Sequence, residues 1–341
     1  MKIFEKKRWS NGKREFFLFG KMIYSYRKKN RPGREFHTDE YCLKYENRFA
    51  PDLSLTDKRF ILKEQFQVMA GYTLNLDDPV TFNEKLQWLK LYNEDPLITT
   101  CVGKDTAKDY VAKVLGEKYL VPTIAVYEHA QDIDFSKLPD AFVLKVCWGS
   151  GQNIIVRDKS KMNKKEILEK LKKWLDPRSN HYFYSFEYGY KNVPPRIICE
   201  KYMGELSQNL TCYKVFNFCS KSYLIQAVFD DKTDYETINY YDLNWKKLEL
   251  RQNYPNNDRD IPPPKHLDEM LKCAGQLAQP FKYFVRTDFF EVGDSVLFSE
   301  FTFYSDNGME RFHPAEWDRT LGDLIDLRAL RPPISTLFAK T

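Results

Sequence analysis

The hydrophobic pattern divides the chain into a helical first part and a second part of short strands and turns. Residues 40–95 read as mainly helical. Thr81-Phe82-Asn83-Glu84 has the form of a capping box, and it opens a run with apolar positions at Leu86, Trp88, Leu89 and Leu91. Asp95-Pro96 ends that run, because the residue before a proline is pushed out of helical geometry. A second helix is predicted from Lys104 to Leu115, closed by Gly116. From about residue 119 the texture changes. AFVLKVC (141–147) predicts a short buried strand running straight into Trp148-Gly149-Ser150-Gly151. Residues 163–175 set Ile167, Leu168, Leu171 and Trp174 on one helical stripe. Strands are predicted at 196–202, 212–218 and 222–230, a loop at 251–264, and a helix at 265–279. A hairpin follows, 283–292 and 295–303 with Gly293-Asp294 at its tip, and residues 316–331 again read as helical. The plan is α+β, without internal repeats. No Gly-x-Gly-x-x-Gly follows a strand and no Gly-x-x-x-x-Gly-Lys-Ser/Thr occurs, which excludes the common dinucleotide and P-loop signatures.

Charge changes the picture at the N-terminus. Residues 1–34 carry twelve Lys or Arg against two Glu, so the rest of the chain is net negative although the whole is +5. The same segment holds Phe16-Phe17-Leu18-Phe19, Met22, Ile23, Tyr24 and Tyr26. It reads as a helix whose aromatic face either packs on the main body or rests on an anionic membrane surface. Nothing in the chain resembles a nucleic-acid module. The absence of a long apolar span, of a signal-peptide pattern and of any Cys-x-x-Cys among seven cysteines points to a reducing cytoplasm.

Candidate chemistry concentrates in the hairpin. Alternation puts Arg286 and Asp288 on one face, and likewise Phe298, Glu300 and Thr302. A three-residue loop (293–295) would set Asp288 opposite Glu300 and Arg286 opposite Thr302. A strict two-residue loop would oppose Asp288 to Ser299. Facing carboxylates repel unless a cation lies between them, and magnesium is bound in this way, by one or two carboxylates plus substrate phosphates. A structural cluster of Arg286, Asp288 and Glu300 is the alternative. Lys145 lies inside an apolar strand just before a glycine turn, where it could hold phosphate or extend outward to solvent. Glu200, after another apolar strand, could accept from an adenine amino group or face water.

The order of these parts, Lys104, Lys145 with its glycine loop, Glu200, then Arg286-x-Asp288 and Glu300, resembles the ATP-grasp superfamily. TFNEKLQWLKLYNEDPL, GKDTAKDYV, FVLKVCWGSGQN, PPRIICEKY, CYKVFNF and RTDFFEVGDSVLFSEFTFYSDNGM are more closely similar to its TupA-like (teichuronopeptide biosynthesis type) branch, over roughly residues 80–325. The resemblance implies an ATP-grasp fold with a basic aromatic segment (1–35), a helical or mixed domain (36–118), a lid with the glycine loop (119–203) and a C-terminal subdomain (204–341). It implies ATP held by Lys104, Lys145, Gly149, Ser150, Gly151 and Lys214, with adenine at Glu200, Lys201 and Tyr202. It further implies magnesium, as two ions, at Asp288, Glu300 and Thr302, and catalysis by Arg286 and Lys145. The implied activity is carboxylate–amine ligation through an acyl-phosphate. Its partners would be a carboxylate-bearing glycan and an amine or amino acid, at the inner face of the membrane. Four positions depart from the pattern: Gly103, Lys108, Thr302 and Cys212, the last leaving Glu205 as a weak candidate for ribose. Asp132-x-Asp134 and Asp258-x-Asp260 keep a glycosyltransferase open as an alternative, and a non-catalytic nucleotide binder is the third reading. The five histidines read as structural, His313 being the nearest to the acidic hairpin.

Overall fold

The computed structural model describes residues 53–203, 211–230 and 236–328, apart from the Tyr184 side chain, together with the backbone of three N-terminal strands. Those strands are β1 (Phe4–Arg8), β2 (Lys13–Leu18) and β3 (Lys21–Arg27), an antiparallel sheet in chain order. The helix expected there is not formed. Asn11-Gly12 between the first two strands is a hairpin signal, and runs of Phe and Tyr favour extended backbone.

Helices α1 (Leu55–Met69) and α2 (Phe82–Tyr92) both start on capping boxes. At α2, Thr81 Oγ1 accepts from the Glu84 N–H, while Glu84 Oε2 accepts from Thr81 and Val80 and Oε1 from Asn75. Pro96 does not only end a helix; it opens the short α3 (Pro96–Val102), a place where its missing N–H costs nothing. Helix α4 (Thr106–Leu115) ends at Gly116 as expected. The residues 40–52 of the expected helical region lie outside the described part.

Two larger sheets follow. The first has β4 (Thr123–Tyr127), β5 (Phe142–Val146), β6 (Asn153–Val156) and β7 (Ile197–Lys201) in the order β4-β7-β5-β6. Between β6 and β7 run α5 (Lys164–Trp174), which buries Ile167 and Leu171, and the single turn α6 (Tyr182–Ser185). The second sheet holds β8 (Cys212–Phe218), β9 (Lys221–Phe229), β10 (Thr237–Tyr241), β11 (Phe284–Val292) and β12 (Ser295–Thr302), ordered β10-β9-β8-β11-β12. Every pairing within both sheets is antiparallel. Helix α7 (Leu267–Ala278) covers one face of the second sheet, burying Met270, Cys273, Ala274, Leu277 and Ala278. The last helix, α8 (Glu316–Asp323), is shorter than the expected 316–331 and packs on α2. Strands β4, β6 and β10 and the turn α6 were not foreseen.

Phe82 of α2 meets Phe284 edge-on at 4.9 Å and also reaches Phe218 and Phe312, which fastens the helical part to the second sheet. Among the described residues, no helix is long and apolar enough to cross a membrane.

Candidate functional site

Helix α7 packs on the second sheet, and the sheet's charged side chains sit on β8, β11 and β12. Hairpin β11–β12 turns in two residues, since Val292 pairs with Ser295, and Gly293 at φ +57° supplies the turn's left-handed position. On a regular ladder that turn would oppose Asp288 to Ser299. A β-bulge absorbs Ser299 instead, so Asp288 pairs with Glu300 and Arg286 with Thr302. The expected pairing is reached through a bulge and not through a three-residue loop. The bulge also corrects the expected alternation: Phe298 turns into the core against Phe289 and Phe301, away from the face of Glu300.

The Asp288–Glu300 pair belongs to a row that crosses the whole sheet. Tyr240, Gln226, Lys214, Asp288 and Glu300 are successive cross-strand partners, so their side chains share one face. Arg286 lies beside the row, 4% exposed. Its Nε and Nη2 donate to Asp288 Oδ1 and Oδ2, both at 2.8 Å, its Nη1 donates to Ser305 Oγ at 2.9 Å, and Nη2 also reaches Thr302 Oγ1 at 3.1 Å. Burial works against the guanidinium charge, but Asp288, Asp306 and Glu300 outweigh it and raise the group further. Desolvation likewise opposes the charge of Lys214, and Asp288 and Asp306 move it upward overall.

The first sheet and the turn before α4 supply the facing cations. Lys104 Nζ donates to Gly149 O at 2.6 Å, tying the α3–α4 junction to the glycine loop. Lys145 on β5 pairs with Glu200 Oε2 on β7 at 2.5 Å, and Lys108 pairs with the other oxygen. Desolvation would raise the Glu200 carboxyl, yet Lys145 and Lys108 hold it below its ordinary value. Both Glu200 oxygens are therefore engaged by lysines. Lys201 is exposed, and the Tyr202 hydroxyl accepts from Arg157 Nε at 2.9 Å. Ser150 and Gly151 are exposed, with Gly151 at φ +68°, a conformation that strains any side chain.

Glu300 completes the cleft. Its side chain is exposed, and its carboxylate has no hydrogen-bond or ion-pair partner among the described residues. Desolvation pushes the group up, but Lys104, Arg286, Lys214 and Lys145 together hold it below the usual range. A divalent cation fits this donor set. Glu300 offers a free carboxylate, each Asp288 oxygen keeps a lone pair beyond its bond to Arg286, and the Thr302 hydroxyl lies alongside. Among the described residues there is no group of three or more His, Cys, Asp or Glu that could hold an ion alone. Two carboxylates completed by phosphate oxygens is the arrangement that magnesium takes.

The cleft thus gathers Lys104, Lys145, Lys214, Arg286, Asp288, Glu300 and Thr302 from segments far apart in sequence. The sequence marked Lys108 only as a departure from the family pattern; its pairing with Glu200, the Asp105–Arg196 pair at 2.8 Å, and a His181–Glu187 pair at 3.1 Å beside the glycine loop were missed. The Asp-x-Asp triplets lie elsewhere: Asp132 and Asp134 cap local turns, while Asp258 and Asp260 are exposed. His313 is exposed, and its backbone pairs with Arg251.

A D-alanine–D-alanine ligase from Bacillus anthracis is 16% identical, with 66% of each chain covered and a TM-score of 0.40. The same enzyme from Helicobacter pylori is 15% identical over 72% of this chain and 69% of that one, at 0.38. The biotin carboxylase domain of the Hydrogenobacter thermophilus 2-oxoglutarate carboxylase, solved with MgADP and bicarbonate, is 11% identical over 60% and 40%, at 0.35. At such scores these likenesses add no weight, and no curated protein matches the chain. The model of the TupA-like ATP-grasp family matches residues 84–326. That match runs through every segment that builds the cleft, from α2 to α8, and the chain is a member of the TupA-like ATP-grasp family.

Proposed function

We propose that the chain is an ATP-dependent carboxylate–amine ligase, forming an amide between a sugar carboxylate of the uronic acid class and an amino acid or other amine. One observation carries the reading: Lys104, Arg286, Lys214 and Lys145 all lie within electrostatic reach of Glu300, which faces Asp288 and bonds to nothing among the described residues. A nucleotide triphosphate and a divalent ion would satisfy that imbalance together.

The γ-phosphoryl group of ATP passes to the substrate carboxylate, and an amine then displaces phosphate from the acyl carbon. Such transfer needs positioning and charge neutralisation more than a protein nucleophile. Lys104 and Lys145 sit at the glycine loop to hold phosphate oxygens, and Lys214 does so from the sheet below. Arg286, fixed by Asp288, Ser305 and Thr302, faces the charge that develops at the acyl centre. Residues 149–151 close over the phosphates and exclude water. Magnesium at Asp288 and Glu300 would supply charge neutralisation at the phosphate oxygens. Residues 119–203 act as the lid over residues 204–341, and the basic residues 1–34 hold the enzyme against an anionic, membrane-linked glycan at the cytoplasmic face.

The test is a thermal-shift comparison of Mg-ATP with Mg-UDP and UDP-sugars, on wild type and Lys145→Ala. Stabilisation by ATP alone, lost in the variant, is the expected result. Phosphate release is then screened with uronic acids and amino acids. A shift with uridine nucleotides and none with ATP would overturn the reading in favour of a sugar-transfer enzyme.

A further inference from the structure

We infer that His181 receives the proton of the attacking amine and that Glu187 positions it, an inference that rests on the ligase reading above. Aliphatic amines are protonated near neutral pH and cannot attack a carbonyl until that proton leaves. A ligase of this kind therefore gains from an acceptor at the rim of the cleft.

His181 sits at that rim. Its backbone N–H donates to Trp148 O at 3.4 Å, one residue ahead of Gly149. Its ring stands edge-on to Tyr190, with centroids 5.0 Å apart. Nε2 lies 3.1 Å from Glu187 Oε1; a carboxylate only accepts, so Nε2 carries the hydrogen and Nδ1 keeps its lone pair. The Glu187 side chain is 9% exposed and that of His181 27%, so the orienting carboxylate is buried while the imidazole stays partly exposed. Phe186, at φ +57°, holds the turn into Glu187 in a conformation that bulky residues avoid.

Electrostatic coupling links this pair to the carboxylates through the tyrosine that His181 packs against. Tyr190 is buried within electrostatic reach of Glu187, Glu300 and Arg286 together. Tyr304, two residues past Thr302 and 3% exposed, has a hydroxyl without a partner among the described residues, and it too lies within reach of Glu187. That hydroxyl is buried, so it adds to the polar surroundings of Glu187 without itself opening to the cleft.

The step balances. An ammonium N–H bond breaks, its electron pair stays on nitrogen and the proton goes to Nδ1. The nitrogen pair then forms the bond to the acyl carbon, the carbon–oxygen bond to phosphate breaks with its pair on phosphate, and phosphate carries away the second amine proton. Glu310 is the rival acceptor, since it lies beside Asp306 and within reach of Lys214.

The experiment uses the full chain with Mg-ATP, D-glucuronate and D-galacturonate. Acyl-phosphate is trapped with hydroxylamine, which is largely unprotonated at neutral pH, and amide formation is followed with a panel of amino acids. His181→Gln is expected to keep most of the hydroxamate formation while losing amide formation by about 100-fold or more, the range of general-base catalysis. Added imidazole restores part of the amide reaction in His181→Ala, which a purely structural histidine would not allow. Equal loss of both products, no loss of either, or selective loss in Glu310→Gln instead would overturn the assignment. Retained stabilisation of His181→Gln by Mg-ATP separates the result from misfolding. If wild type yields no hydroxamate, the ligase reading itself fails, and the inference with it.

Discussion

Glu200 is buried between two lysines, and that arrangement has consequences beyond the cleft. Removing one member of such a cluster leaves the others desolvated and unpaired, at a cost of about 3–5 kcal/mol. Glu200→Gln is expected to lower the urea midpoint at neutral pH accordingly, with the m-value unchanged. The sign of its pH dependence follows from the lowered carboxyl: the native state binds that proton less readily than the unfolded chain. Its contribution is complete above the ordinary value of 4.5 and is lost as pH falls through the depressed native value. Wild type should thus lose stability in that acid window, and Glu200→Gln should show a flatter acid limb in the same titration. Glu300 differs, because it is exposed and bonds to nothing among the described residues. Glu300→Gln should fold normally and lose the Mg-ATP thermal shift; a full shift in that variant would remove Glu300 from the site.

At the scale of elements, two features set the geometry. The capping box at α2 was readable from Thr81 and Glu84 alone, since both partners are local. Glu84 nevertheless does more than the motif states, accepting from the backbone of Asn75, Val80 and Thr81. Glu84→Ala is expected to cost about 2–3 kcal/mol by leaving these donors unpaired, seen as a drop of several degrees in Tm. An unchanged Tm would mean that water replaces the carboxylate. The bulge at Ser299 was not readable in this way. Asn, Asp and Gly announce turns, but a bulge depends on which residues the partner strand and the core demand. Here Phe298 must join Phe289 in the core while Glu300 faces the cleft, and only an extra residue meets both requirements.

Over the whole molecule, two antiparallel sheets bring facing charges together, with Lys104 bonded to the loop that would close over phosphate. Ligand bound across such a cleft stabilises the folded chain by about 2.7 kcal/mol at 100 times its Kd. Mg-ATP should also slow limited proteolysis at the exposed Ser150–Gly151 segment, and the protection should disappear in Lys145→Ala. Equal cleavage with and without nucleotide would mean that this loop does not cover the phosphates.

The sequence by itself determined the α+β class, the family and the elements that carry the cleft lysines and carboxylates, because charged residues inside apolar strands and local caps leave a signature within a few positions. It also marked Lys145, Arg286, Asp288 and Glu300, each conspicuous against apolar neighbours. The shared Glu200 carboxylate, the cross-sheet row and the His181–Glu187 pair were decided by the tertiary structure. Lys108 and Glu200, or Trp148 and His181, come together only when strands pair and loops pack. Such contacts depend on which distant segments share a face, and no local spacing of residues encodes that.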